Sequence, residues 1–199
     1  MTRFTAFVIC VLFSLTIDIG AQVFNTAHVL RNGTFSLGLN PTLLNIVAED
    51  DAGVFVHGGY GIGSGLDLAV QLGLGFEEPY IGFNIEKQLN VMVPTLSISG
   101  GLHSFNDVGL DFTFQSSYRV SPQVDIYAGL DFDLVFAEKK EFNPVTDRFK
   151  TENDTRFLSW FFLGSEVAIR QNTTLLFEAE IGISDDAYDI FGGGINFYF

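Results

Sequence analysis

The regularity that dominates this chain is alternation. From Leu66, the stretch LDLAVQLGL places Leu66, Leu68, Val70, Leu72 and Leu74 on one side of an extended backbone, with Asp67, Ala69, Gln71 and Gly73 on the other. From Val124, VDIYAGLDFDLVF opposes Val124, Ile126, Ala128, Leu130, Phe132, Leu134 and Phe136 to Asp125, Tyr127, Gly129, Asp131 and Asp133. Residues 174–184 repeat the pattern, Leu175, Phe177, Ala179, Ile181 and Ile183 against Glu178 and Glu180. Successive side chains of a strand point to opposite faces, so a sustained period of two predicts strands with a different environment on each side.

Ten such segments follow one another, near 33–41, 52–61, 66–75, 79–87, 93–103, 106–119, 124–136, 156–170, 174–184 and 187–199. Most are longer than the roughly five or six residues of a usual globular strand. They match the roughly nine to eleven that carry a tilted strand across a bilayer. Short turns at Gly63-Ser64-Gly65, Gln88-Leu89-Asn90, Ser121-Pro122-Gln123 and Gln171-Asn172-Thr173 alternate with linkers at 40–51, 75–78, 104–106, 137–155 and 184–186. Short turns at one end and some longer, acidic loops at the other predict an all-β, up-and-down antiparallel transmembrane barrel. Ten strands is the expected count; eight is the alternative if the first or fourth segment is unpaired. YGIGSGLDL at Tyr60 and YRVSPQVDI at Tyr118 share one hairpin solution.

The first 21 residues stand apart. Arg3 precedes an uncharged apolar run from Phe4 to Ile17, and Gly20 and Ala21 follow. A run of that length is a signal-peptide core, too short to span a bilayer as a helix. Residues 1–21 are therefore predicted to be a cleaved leader and residues 22–199 a single barrel domain. The sole cysteine, Cys10, lies mid-run with Ile9 before it, which does not suit a lipid anchor. The mature chain then has no thiol, so disulfide, redox and cysteine-metal chemistry drop out.

Charge decides which face is which. The chain has 24 Asp and Glu against 10 Lys and Arg. Phosphate contacts need Lys and Arg, so nucleic acid is not an expected partner. The apolar faces carry no charge, whereas the opposite faces collect Asp67, Glu86, Asp111, Asp125, Asp131, Asp133, Glu166, Glu178 and Glu180, with Arg119 and Arg170 as the clearest cations. In a soluble sandwich or ligand-binding barrel the apolar faces point inward; in a membrane barrel they point to lipid and these charged residues line a hydrated lumen. Aromatic residues near strand ends (Tyr60, Phe76, Tyr80, Phe105, Tyr118, Phe136, Phe157, Trp160, Tyr188 and Phe197) suit interfacial girdles. Arg119 and Arg170 are the expected counter-ions of the lumen carboxylates.

The last strand carries its own mark. Phe191, Ile195, Phe197 and Phe199 share one face and the chain stops on Phe199. This resembles the C-terminal strand signal of bacterial outer-membrane barrels, with Gly193 as a departure from it. In size and pattern the chain resembles the small OmpA/OmpX/OmpW-type barrels. The resemblance implies a cell outer-membrane location in a Gram-negative envelope. It also implies outer-membrane lipid and lipopolysaccharide as surroundings, and recognition of the last strand by the barrel assembly machinery.

Catalytic chemistry finds little support. His28 and His57 have no carboxylate or hydroxyl partner that sequence places beside them. His103 and Ser104 are adjacent on a strand and so point apart. The chain also resembles omptin proteases in strand number, but their catalytic residues have no assignable counterparts. The i, i+2 pairs Asp131/Asp133 and Glu178/Glu180 read as lumen lining. The acidic runs 49–51, 77–78 and 185–186 lack the ordered spacing of an EF-hand loop. No catalytic residue, cofactor site or metal site is predicted. Residues 137–155, with four basic residues among five acids, form the best candidate for a surface ligand. The expected function is an outer-membrane barrel of structural, binding or narrow-pore type with an acidic lumen. The alternatives are a rim enzyme acting on lipid or peptide and a soluble exported ligand-binding barrel.

Overall fold

A computed structural model describes residues 26–46, 49–76, 78–90, 92–105, 107–143 and 148–199; the expected leader lies outside the described residues. Ten strands succeed one another: β1 (Phe35–Ile46), β2 (Glu49–Gly63), β3 (Leu66–Leu74), β4 (Tyr80–Gln88), β5 (Thr95–Phe105), β6 (Asp107–Ser121), β7 (Val124–Asn143), β8 (Arg148–Arg170), β9 (Thr173–Gly182) and β10 (Asp189–Tyr198). Each pairs antiparallel with its neighbour in sequence, and β1 pairs with β10 to close the ring. The first and fourth predicted segments both pair, so the count is ten and not eight.

Closure runs to the final residue. Leu37 faces Phe197, Leu39 faces Ile195 and Leu43 faces Phe191 across the seam. The Phe199 amide donates to the Phe35 carbonyl at 2.9 Å, and the Phe35 amide donates back at 3.1 Å. A sheet without edges is what an apolar solvent demands, because no exposed backbone group finds water there. At the end that holds both termini the β2–β3 hairpin turns through Gly63 (φ 102°), Ser64 (φ 56°) and Gly65 (φ 69°). Left-handed backbone of this kind suits glycine, so the GSG triplet fits the turn.

Two expectations about linkers are corrected. Residues 40–51 are mostly strand, with Ile46 facing Glu49. The predicted loop 137–155 is mostly a continuation of β7 and β8, whose register runs from Ala137↔Asp154 to Asn143↔Arg148. β6 reaches only Val108↔Phe136 and β9 only Trp160↔Gly182, so this hairpin projects beyond its neighbours. Alternation is the signature of one buried face. A hairpin wetted on both sides keeps strand geometry without writing that signature into the sequence.

The two faces of the wall differ as alternation predicts. Uncharged residues such as Leu130 (37% exposed), Val70 (45%) and Leu163 (54%) lie bare on the outside. Inside, Leu44, Phe55, Phe76, Tyr80, Val135, Leu158, Trp160 and Ile190 join Tyr127, Phe162 and Leu176 in one buried apolar cluster. The first eight lie near the strand ends remote from the termini, so the interior is apolar-packed at that end, and Phe76, Tyr80 and Trp160, expected in an interfacial girdle, pack inside instead. Trp160 Nε1 donates to the Tyr188 carbonyl at 2.7 Å, anchoring the packing to the β9–β10 connection.

Inward glycines make this density possible. Tyr127 on β7 lies opposite Gly164 on β8, and Gly129 lies opposite Phe162. A Cβ at Gly164 would run into the Tyr127 ring, and one at Gly129 into the Phe162 ring. His103 covers Gly109 in the same way, and His57 covers Gly38. A bulky side chain on one strand thus lies over a bare backbone on the next.

Candidate functional site

The inward face gathers carboxylates from β3, β4, β6, β7, β8 and β9, and the register decides which meet. Asp111 faces Asp133 across β6 and β7, and Gly109 faces His103 across β5 and β6. His103 therefore stands between two acids, with Nδ1 3.7 Å from Asp111 and Nε2 3.5 Å from Asp133. Tyr80 stacks on the imidazole with ring centroids 5.7 Å apart. Asp131 sits one inward step from Asp133 and accepts from the Thr113 hydroxyl at 2.6 Å. Glu86 accepts from Gln115 Nε2 at 2.8 Å.

Towards the end that holds the termini, Glu166 accepts from the Tyr198 hydroxyl at 2.8 Å. Asp67 accepts from the Leu30 amide at 2.9 Å. Arg119 holds Asp125 in a two-pronged pair, Nε to Oδ1 at 2.9 Å and Nη2 to Oδ2 at 2.8 Å, with more than half of its own side chain exposed. Arg170 lies exposed in the last position of β8, away from the carboxylate layer. The cation that sequence reading missed is Arg156, whose Nη2 lies 2.8 Å from Asp107 near the opposite end. It opens the predicted segment 156–170, whose next inward positions, Leu158, Trp160 and Phe162, are apolar, so no run of charges marked its face.

Six of these carboxylates, Asp67, Glu86, Asp131, Asp133, Glu178 and Glu180, are buried, while Asp111, Asp125 and Glu166 are half-buried. Glu180 is 0% exposed, Asp131 2%, Asp133 3% and Glu178 5%. A side chain that a water-sized sphere cannot touch does not line an open aqueous channel. Inward aromatics, amides and hydroxyls lie between these acids. Buried carboxylates of this kind are tolerated when donors reach them, and charge-assisted hydrogen bonds are about twice as strong as neutral ones.

The histidines divide by position. His57 is buried on β2, with Nδ1 3.0 Å from Asn40 Nδ2. His103 is buried inward while Ser104 takes the other face, so the pair does not act together. His28 precedes β1; burial lowers its imidazole below the ordinary 6.5, opposed by Asp125 and Glu166 and reinforced by Arg119. Among the described residues no set of three or more His, Cys, Asp or Glu side chains is arranged to hold a metal ion. The sequence could have shown that His103 and Asp111 lie close: β5 and β6 follow one another directly, and Asp111 falls one inward step from Gly109, which faces His103. Asp133 becomes their neighbour only through the next hairpin's register.

No protein-family model matches the chain, and no curated protein matches it in sequence. Solved structures do. An outer-membrane channel from Pseudomonas putida F1 superposes with a TM-score of 0.54 at 8% identity, over 92% of this chain and 100% of that one. The fold is that of a transmembrane β-barrel. The NanC porin covers 83% of this barrel and 99% of its own chain at 6% identity, with a TM-score of 0.47. The Yersinia pestis outer-membrane protein Ail in a phospholipid nanodisc covers 84% and 100% at 11% identity, with a TM-score of 0.44. At 8% identity the likeness to the Pseudomonas putida channel speaks for the fold alone. What the barrel does rests on its own residues.

Proposed function

We propose that this barrel resides in the outer membrane of a Gram-negative envelope and acts as a closed structural or binding barrel, not as an open pore. It reaches that membrane through a cleaved leader at residues 1–21 and is inserted by assembly machinery that reads Phe191, Ile195, Phe197 and Phe199. Its outward face supports the location: a ring of bare Leu, Val, Ile and Phe without charge is unsuited to water, since soluble monomers rarely expose large apolar patches. Outer-membrane lipid and lipopolysaccharide are the surroundings that such a belt fits.

The single observation that carries the closed reading is interior packing. Inward residues at successive levels, from Ser97 and Thr113 through Asp131 and Glu180 to Trp160 and Ile190, are buried. Barrels of about eight strands are just filled by side chains and open aqueous channels need about 16, so ten strands with bulky interiors fit the filled class. Binding then falls to surfaces outside the wall, and the projecting β7–β8 hairpin, residues 137–155, is the part that reaches farthest for a surface ligand. No role in catalysis is assigned.

Planar-bilayer recording of the purified barrel tests this. The expected record is a baseline without discrete steps at neutral pH. Steady cation-selective steps would overturn the closed reading and restore the narrow acidic pore.

A further inference from the structure

The segment before β1 does not hang free of the wall. Ala27 is fully buried, and its amide donates 2.8 Å to the hydroxyl of Ser117, itself buried on the inward face of β6. β6 lies five steps from β1 in either direction round the ring, so this bond reaches the opposite wall. Between the two walls the Leu30 amide is held by Asp67 of β3. The segment is tied to β2 where the Gly33 amide donates to the Gly61 carbonyl at 2.9 Å, and Thr34 closes a turn on the Arg31 carbonyl at 2.9 Å.

The seat for this crossing is cut into β2. Gly59 and Gly61 occupy inward positions where a Cβ would meet Leu30 Cδ1 at 2.9 Å in the first case and the Arg31 carbonyl in the second. Side chains on the far wall also bear on the segment: His28 feels Asp125 and Glu166 of β7 and β8 and Arg119 of β6. Asp67 and Ser117 are both among the buried polar residues, so each would lose the amide that donates to it if the segment left. A buried carboxylate stripped of its donor is unfavourable, which ties the segment to the closed position.

From these contacts we propose that residues 26–34 form a strap that crosses the terminal-end mouth of the barrel and seals the carboxylate layer from that side. The strap is a feature of the barrel itself, whichever way the terminal-end mouth faces. Release of the Asp67 and Ser117 anchors opens a route to the buried acids. The glycine-rich run GGYGIGSG serves two ends: Gly59 and Gly61 seat the strap, and Gly63 and Gly65 make the turn.

Two measurements test it on the folded chain without its leader, which holds no native cysteine because Cys10 lies within residues 1–21. The first is disulfide trapping of A27C/S117C against A27C/S116C, since Ser116 occupies the outward face. Efficient trapping of the first pair and at least tenfold less of the second is expected; no preference between them overturns the crossing. The second uses S97C as a reporter, because Ser97 lies buried one inward step beyond the level of Ser117. Labelling of S97C by a small water-soluble maleimide should accelerate at least tenfold when D67A/S117A removes the anchors. Each barrel is first checked for heat-modifiable gel mobility. An unchanged labelling rate overturns the seal even where the crosslink forms.

Discussion

At the scale of single residues, the interior is governed by which side chain lies over which glycine and by which donor reaches which acid. Gly164→Ala places a methyl group against the Tyr127 ring. Overpacking of this sort costs about 1–3 kcal/mol. Urea unfolding in lipid vesicles should show that loss, and a smaller one when Tyr127 is already Leu. Hydrogen bonds rank differently by burial. Thr113→Val strips a buried donor from Asp131, a loss of about 1–3 kcal/mol. Arg119→Gln breaks a pair on a half-exposed guanidinium, worth at most about 1 kcal/mol. If the Arg119 variant unfolds at lower urea than the Thr113 variant, the ranking by burial is wrong. His28 adds a pH dependence. Its folded value lies below 6.5, so acidification through that value loads protons on the unfolded or strap-released form first. S97C labelling, expressed relative to a free thiol at the same pH because the thiolate fraction falls with acid, should rise on acidification below about 6.5, less so in H28Q, and an identical rise in both would exclude His28 as the cause. The spacing of these acids along each strand was legible in the sequence. Their neighbours were not, because a meeting such as His103 with Asp133 depends on two registers at once.

At the scale of elements, alternation located all ten strands, because each has one face in hydrocarbon and one in a packed interior. It failed where the hairpin projects beyond its neighbours, and the ends of β7 and β8 were therefore read as loop. Their register from Ala137 to Asn143 shows the pairing directly. Since this part of the hairpin lies beyond the wall formed by β6 and β9, deleting residues 139–152 should leave the heat-modifiable mobility of the barrel unchanged. Loss of that mobility would mean that the projection supports the wall. Within the wall the faces are not equivalent. Leu130→Arg sets a charge on the outward face midway along the wall-forming part of β7 and should cost about 2–4 kcal/mol. A loss well under 1 kcal/mol would place that face in water. The strap is a different failure of sequence reading. Residues 26–34 have no period at all, and what fixes them is a carboxylate and a hydroxyl from strands far along the chain.

At the scale of the whole molecule, two apolar regions coexist: a bare belt outside and a packed cluster inside. A soluble barrel can have the second but not the first at this size. Between them the wall needs no edge, since Phe35 and Phe199 close it residue to residue. The belt and the closure together make hydrocarbon the medium in which this chain is stable. The most direct test is gel mobility without boiling, for the purified chain folded with and without phospholipid vesicles. The account predicts a compact, fast-migrating band only with lipid, shifting to the unfolded position on heating. A folded, monodisperse monomer in buffer free of lipid and detergent would contradict it.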